Sequence, residues 1–134
     1  MLKQLTVFVE NKTGYLSEIT KLLAENSVNL KALSIADTKD FGILRLIVDD
    51  ADYTLKIITE HGLLGKITEV VGITVSNKPG GLSDALSVLS EKGVNVEYLY
   101  AFLSGTTDTA DVVLKATDNE KAEKILEEKG YKSI

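Results

Sequence analysis

Apolar residues alternate with polar ones from Leu5 through Val7 to Val9, Thr6 standing between them and Glu10 after them. A period of two marks a strand with one buried face. The period then changes. Leu16, Ile19 and Leu23 recur at i, i+3 and i+7, and further along Leu82, Ala85, Leu86 and Leu89 do the same, so each stretch predicts an amphipathic helix. Two strands follow each helix, at about 29–36 and 41–48 and again at about 95–103 and 109–117, joined by turns rich in Asp, Gly and Thr. A second helix is expected over 52–61 and 119–129, each ended by a Gly, and a short strand closes each half at 66–70 and 131–134. Pro79 fits the first position of its helix, and Gly93, with Asn26 near the same place, suits a left-handed cap.

The pattern occurs twice because the sequence does. At an offset of 66, residues 5–35 lie over 71–101 with 11 of 31 positions identical, against roughly two expected by chance. After three extra residues near Gly105 to Asp108, 41–49 falls over 110–118, and the register then tightens by one so that Gly62 faces Gly130. A period this long suits a small domain rather than a solenoid repeat. The chain is therefore expected to be α+β, two ferredoxin-like β-α-β-β-α-β units over 1–70 and 71–134. Right-handed crossovers place both helices of a unit on one side of an antiparallel sheet and leave the other side bare. Side-by-side pairing of the units would hide edge strands.

Composition narrows the chemistry. The 134 residues carry 15 Lys and Arg against 20 Asp and Glu, one His and no Cys. Thiol nucleophiles, thiolate metal sites and disulfides are thereby removed, and so is any site needing two imidazoles. Ser17 and Ser83 lie in first helical turns with no base placed beside them, so no catalytic residue and no metal site is expected. Asp49, Asp50 and Asp52 lack the spacing of a calcium loop and read as a helix cap. His61 falls at a helix C-terminus, which suits an imidazolium. The acidic balance opposes nucleic-acid binding, and 41–48 and 110–114 lack the stacking aromatics of an RNA-binding sheet beyond Phe41. Tyr98 and Tyr100 share one face of a strand and read as an interface pair. No apolar run approaches the roughly 18 residues of a membrane span, and a cytoplasmic protein is expected.

One candidate site survives. The loop between first strand and first helix, 11–15 and 77–81, sets backbone N–H groups beside a Gly at the positive end of a helix, a corner that binds carboxylates. It can equally be a plain strand-to-helix turn with Asn and Gly as turn residues. Both copies also keep a second Asn, Asn29 and Asn95, where the next strand opens, although Asn is a poor strand former.

These residues resemble the ACT domain, the small amino-acid-sensing module of biosynthetic enzymes such as phosphoglycerate dehydrogenase and aspartokinase. The resemblance is carried by Asn77-Lys78-Pro79-Gly80-Gly81-Leu82 with Gly93-Val94-Asn95-Val96, and by Glu10-Asn11-Lys12-Thr13-Gly14 with Val28-Asn29-Leu30. It spans nearly the whole chain as two copies and is closest to free-standing tandem ACT proteins without a catalytic domain. It implies a regulatory protein that binds a free amino acid, with no cofactor, acting as a homodimer toward a regulated enzyme or transcription partner. It implies ligand contacts from Asn11, Gly14, Tyr15, Leu16, Asn29, Asn77, Gly80, Gly81, Leu82 and Asn95, with Asn11 sharing a site with Asn95 and Asn77 with Asn29. Thr13 stands where the family often has Pro, and Val9 and Val75 stand where serine-sensing dehydrogenases carry a His, which argues against serine by that route. The alternative is a structural pairing module whose sites are vestigial.

Overall fold

In the computed structural model, which describes residues 1–37, 40–103 and 106–134, the chain divides into two compact units. The first is Lys3–Thr68; the second is Met1–Leu2 with Glu69–Ile134. The elements run β1 (Leu2–Glu10), α1 (Tyr15–Glu25), β2 (Leu30–Asp37), β3 (Phe41–Val48), α2 (Ala51–Glu60) and β4 (Leu64–Ser76). They continue as α3 (Gly81–Glu91), β5 (Val96–Ala101), β6 (Thr109–Ala116), α4 (Asn119–Glu128) and β7 (Lys132–Ser133). The last strand of the first unit and the first strand of the second are thus one element, β4, rather than a short strand ending at Val70. No turn residue stands between Leu64 and Ser76, and Gly65 and Gly72 are carried inside the strand.

Within the first unit the strand order is β2-β3-β1-β4, and within the second it is β5-β6-β4-β7. This is the same α+β plan twice, with antiparallel neighbours. Leu5, Val7 and Val9 of β1 and Leu44, Leu46 and Val48 of β3 point to one face of the first sheet, where they meet Ile19, Leu22 and Leu23 of α1 and Ile57 and Ile58 of α2. Val71, Ile73 and Val75 do the same in the second unit against α3 and α4. Both helices of each unit therefore lie on one side, as the crossover argument requires. The opposite face is not bare: Gln4, Thr6 and Ile47 in the first unit and Val70, Tyr100 and Val113 in the second are buried. Polar side chains are bonded to one another there, Gln4 Nε2 donating to Thr6 Oγ1 at 3.0 Å and the Thr6 and Thr68 hydroxyls lying 3.2 Å apart.

Strand register corrects the repeat. Leu5 pairs with Leu46 and Val71 with Leu114, so β6 follows β3 at an offset of 68 from its start, not 69. The insertion is two residues, within a connection whose Ser104 and Gly105 lie outside the described residues. The offset of 68 also matches Leu46 to Leu114 and Asp50 to Asp118, and a one-residue slip would turn every β6 side chain to the other face. Both copies also keep one pairing irregularity, between Leu30 and Ala32 and between Val96 and Tyr98.

The caps follow the same repeat. After α1 the positive φ falls on Ser27 at 58°, not on Asn26, and Gly93 holds the equivalent place after α3 at 72°. The N–H groups of Val28 and Val94 then reach back to the carbonyls of Leu23 and Leu89, closing both helices in the same way. Gly62 and Gly130 end α2 and α4 as expected. Pro79 lies in the turn before α3, because Gly80 is its N-cap and the helix begins at Gly81. Asp50 and Asp118 are the N-caps of α2 and α4, accepting from the N–H groups of Tyr53 at 3.0 Å and Lys121 at 3.1 Å. Asp50→Ala and Asp118→Ala should each cost about 1 kcal/mol in urea unfolding; no loss in either would show that the cap is not formed in solution.

Candidate functional site

The corner before α1 is built by the chain's own turn chemistry. Gly14 is the N-cap of α1 with φ 83°, and Gly80 is that of α3 with φ 89°. Neither offers a side-chain cap. An L-residue with a Cβ meets a steric penalty at that torsion, which is the physical reason for Gly at both places. The N–H groups of Tyr15 and Gly81, expected to be free, are not: they donate to the carbonyls of Lys12 and Lys78 at 3.3 and 3.0 Å. The open donors lie one step further in. Helical bonding begins at Glu18 and Asp84, leaving the N–H groups of Leu16 and Ser17, and of Leu82 and Ser83, without an acceptor among the described residues.

The four asparagines do not gather inside a unit. Asn11 follows β1, its N–H donating to the carbonyl of Asp40 at 3.3 Å, and so stands at the end of the sheet where β3 begins. Asn29 precedes β2 and donates its N–H to Asp49 Oδ1 at 3.3 Å, beyond the other end of β3. Eight-residue strands at ~3.3 Å per residue put these ends roughly 25 Å apart. The second unit repeats the separation: the N–H of Asn77 bonds the carbonyl of Asp108, and the carbonyl of Asn95 accepts from Thr117. Asn29 and Asn95 lie just outside their strands, which relieves the conflict with strand propensity.

The two corners differ. In the second, Asn77 Nδ2 donates to the carbonyl of Thr107 at 3.2 Å, and a Cβ at Gly81 would overlap the carbonyl of Ser76. In the first, position 15 carries a full Tyr ring with Lys12 Nζ 5.3 Å from its centroid, and Lys12 also pairs with Glu10 at 3.4 Å. A cavity of about 210 Å³ opens here, lined by Asn11, Lys12, Tyr15 and Leu16 together with Val9, Ile19, Ile35 and Gly42. Tyr15 also walls a cavity of about 390 Å³ with Glu18, Leu22 and His61, and one of about 280 Å³ with Phe8 and Phe41. Asn95 lines a shallower cavity of about 200 Å³ with Asp118 and Lys121.

Glu10, Lys12, Ile35 and Gly42 were missed as candidates in the sequence. Ile35 and Gly42 reach the corner only through β-register, Val9 pairing with Gly42 and Ile35 with Leu44, so no local motif marks them. Among the described residues no set of three His, Asp or Glu side chains is placed to hold a metal, and no helix is long and apolar enough to cross a membrane.

A duplicated β-α-β-β-α-β chain with a glycine-capped strand-to-helix corner in each copy defines a paired-domain protein. The chain belongs to the ACT domain pair family, which matches residues 1–133. It is 41% identical to a protein of solved structure from Bacteroides thetaiotaomicron, covering 99% of this chain and 91% of that one with a TM-score of 0.92. It is 26% identical to the acetolactate synthase small subunit of Mycolicibacterium smegmatis over 97% of this chain and 84% of that protein. The ligand-free regulatory subunit of aspartate kinase from Thermus thermophilus shares the fold, with a TM-score of 0.69 at 14% identity over 94% of this chain and 91% of that one. The ACT pair is a regulatory, non-catalytic module.

Proposed function

We propose that this chain is a regulatory sensor of a free amino acid, that residues 1–70 and 71–134 are its two ACT domains, and that the corner before α1 holds the ligand. The observation that carries the reading is the 210 Å³ cavity against Asn11, Lys12, Tyr15 and Leu16. Its size is below the range of about 300–1,000 Å³ typical of drug-sized ligands and suits something smaller. A free amino acid needs donors for a carboxylate and acceptors for an ammonium. Lys12 and the open N–H groups of Leu16 and Ser17 supply the first; Glu10 and the Asn11 amide oxygen supply the second. Gly14 supplies the torsion that holds these groups in one corner.

The corresponding corner of Asn77, Gly80, Gly81 and Leu82 is a second candidate. Asn29 and Asn95, away from the corner of their own unit, are further candidates. The relatives named as small and regulatory subunits support a reading in which a cytoplasmic homodimer passes the signal to an enzyme or transcription partner. Calorimetric titration with the twenty amino acids tests this. Asn11→Ala should weaken the ligand found by about ten- to a hundred-fold, or roughly 1.5–3 kcal/mol, because it leaves a charged ligand group unpaired. If no amino acid binds, the structural pairing module takes the sensor's place.

A further inference from the structure

We propose that the corner of the first unit selects an amino acid with an apolar, branched or aromatic side chain; this rests on the sensor reading above. The charged and amide groups of the cavity stand on one side, at Glu10, Asn11 and Lys12, where the ligand's own charges would be held. The remaining wall is Val9, Tyr15, Leu16, Ile19, Ile35 and Gly42. A ligand anchored at the polar side directs its side chain onto these groups. A hydroxyl, amide or charge placed there exchanges water for side chains that, Tyr15 apart, carry no hydrogen-bonding group.

The duplication supplies an internal control. Val9 and Ile19 are core residues, 5% and 3% exposed, and would be apolar whatever the corner does. Ile35 is not: it is 47% exposed, so the fold gains little from it. The repeat at offset 66 sets Ala101 opposite Ile35, Ala85 opposite Ile19 and Gly81 opposite Tyr15, and the offset of 68 sets Ala110 opposite Gly42. The second copy folds on the same plan without large side chains at these places. The first therefore presents apolar surface that its architecture does not require.

The test is calorimetry on the intact chain with leucine, isoleucine, valine and phenylalanine against serine, asparagine, aspartate and lysine. Apolar ligands should bind at least tenfold tighter than polar ones, since a pocket of this kind separates ligands differing by one methylene by about 10–200-fold. Ile35→Ala, at an exposed position that will not unfold the chain, should weaken the best apolar ligand about tenfold and leave polar ones unchanged. Polar amino acids binding as tightly as apolar ones, or Ile35→Ala without effect, would overturn the selectivity while leaving the sensor reading intact. Binding by none of the eight overturns the selectivity, and silence across all twenty overturns both.

Discussion

Leu46→Ala and Leu114→Ala should each destabilise the chain by about 2–5 kcal/mol, the cost of losing a buried leucine and leaving a cavity behind. Both side chains are 1% exposed and stand at equivalent points of the two units. Leu46 lies between Leu5 of β1 and Leu33 of β2, and Leu114 lies between Val71 of β4 and Leu99 of β5. Each therefore fills the middle of its sheet beneath a pair of helices. Urea unfolding measures the loss, and hydrogen exchange locates it. Protection should fall mainly in β1, β2 and β3 for Leu46→Ala and in β5 and β6 for Leu114→Ala. A cost under about 1 kcal/mol at either position would show that the side chain does not fill its core.

How much of this was visible in the chain depends on what each feature rests on. Helices and strands were legible because the periods of Leu16, Ile19 and Leu23 and of Leu5, Val7 and Val9 are local properties of the sequence. The helix-ending glycines were legible for the same reason. Features that depend on pairing were less so. An offset of 68 already matches Leu46 to Leu114 and Asp50 to Asp118 in the sequence, and the strand partners of Leu46 and Leu114 exclude 69. Ser27 was passed over because Asn26, one residue earlier, has the stronger preference for a left-handed torsion, yet it is Ser27 whose N–H bonds the carbonyl of Ala24 and brings Val28 back to Leu23. The corner itself was half legible. Asn11 and Gly14 stand in the repeated motif, but Ile35 and Gly42 come to the cavity from strands 20 or more residues away, and the Tyr15 N–H was taken by a carbonyl within the same loop.

Gly81→Ala should be the most damaging Gly→Ala change among the described residues. A Cβ there would meet the carbonyl oxygen and carbon of Ser76, and backbone cannot swing aside as the end of a side chain can. The N-terminus of α3 would have to lift from the end of β4, disturbing the Gly81 to Lys78 hydrogen bond and the contact of Ala85, 1% exposed, with the second core. A loss of about 3 kcal/mol is expected, at the upper end of what overpacking costs. Gly14→Ala and Gly80→Ala are the controls. Nothing lies within 4 Å of a Cβ at either, so only the positive φ is penalised, at roughly 1–2 kcal/mol. The first unit meets the same position with Tyr15, whose ring it uses as a cavity wall, so Tyr15→Gly should instead cost no more than the lost packing of a half-buried ring. The thermal midpoints of the four variants give the order directly. Gly81→Ala melting no lower than Gly80→Ala would mean that α3 does not press on Ser76, and the second corner would then be as open to a ligand as the first.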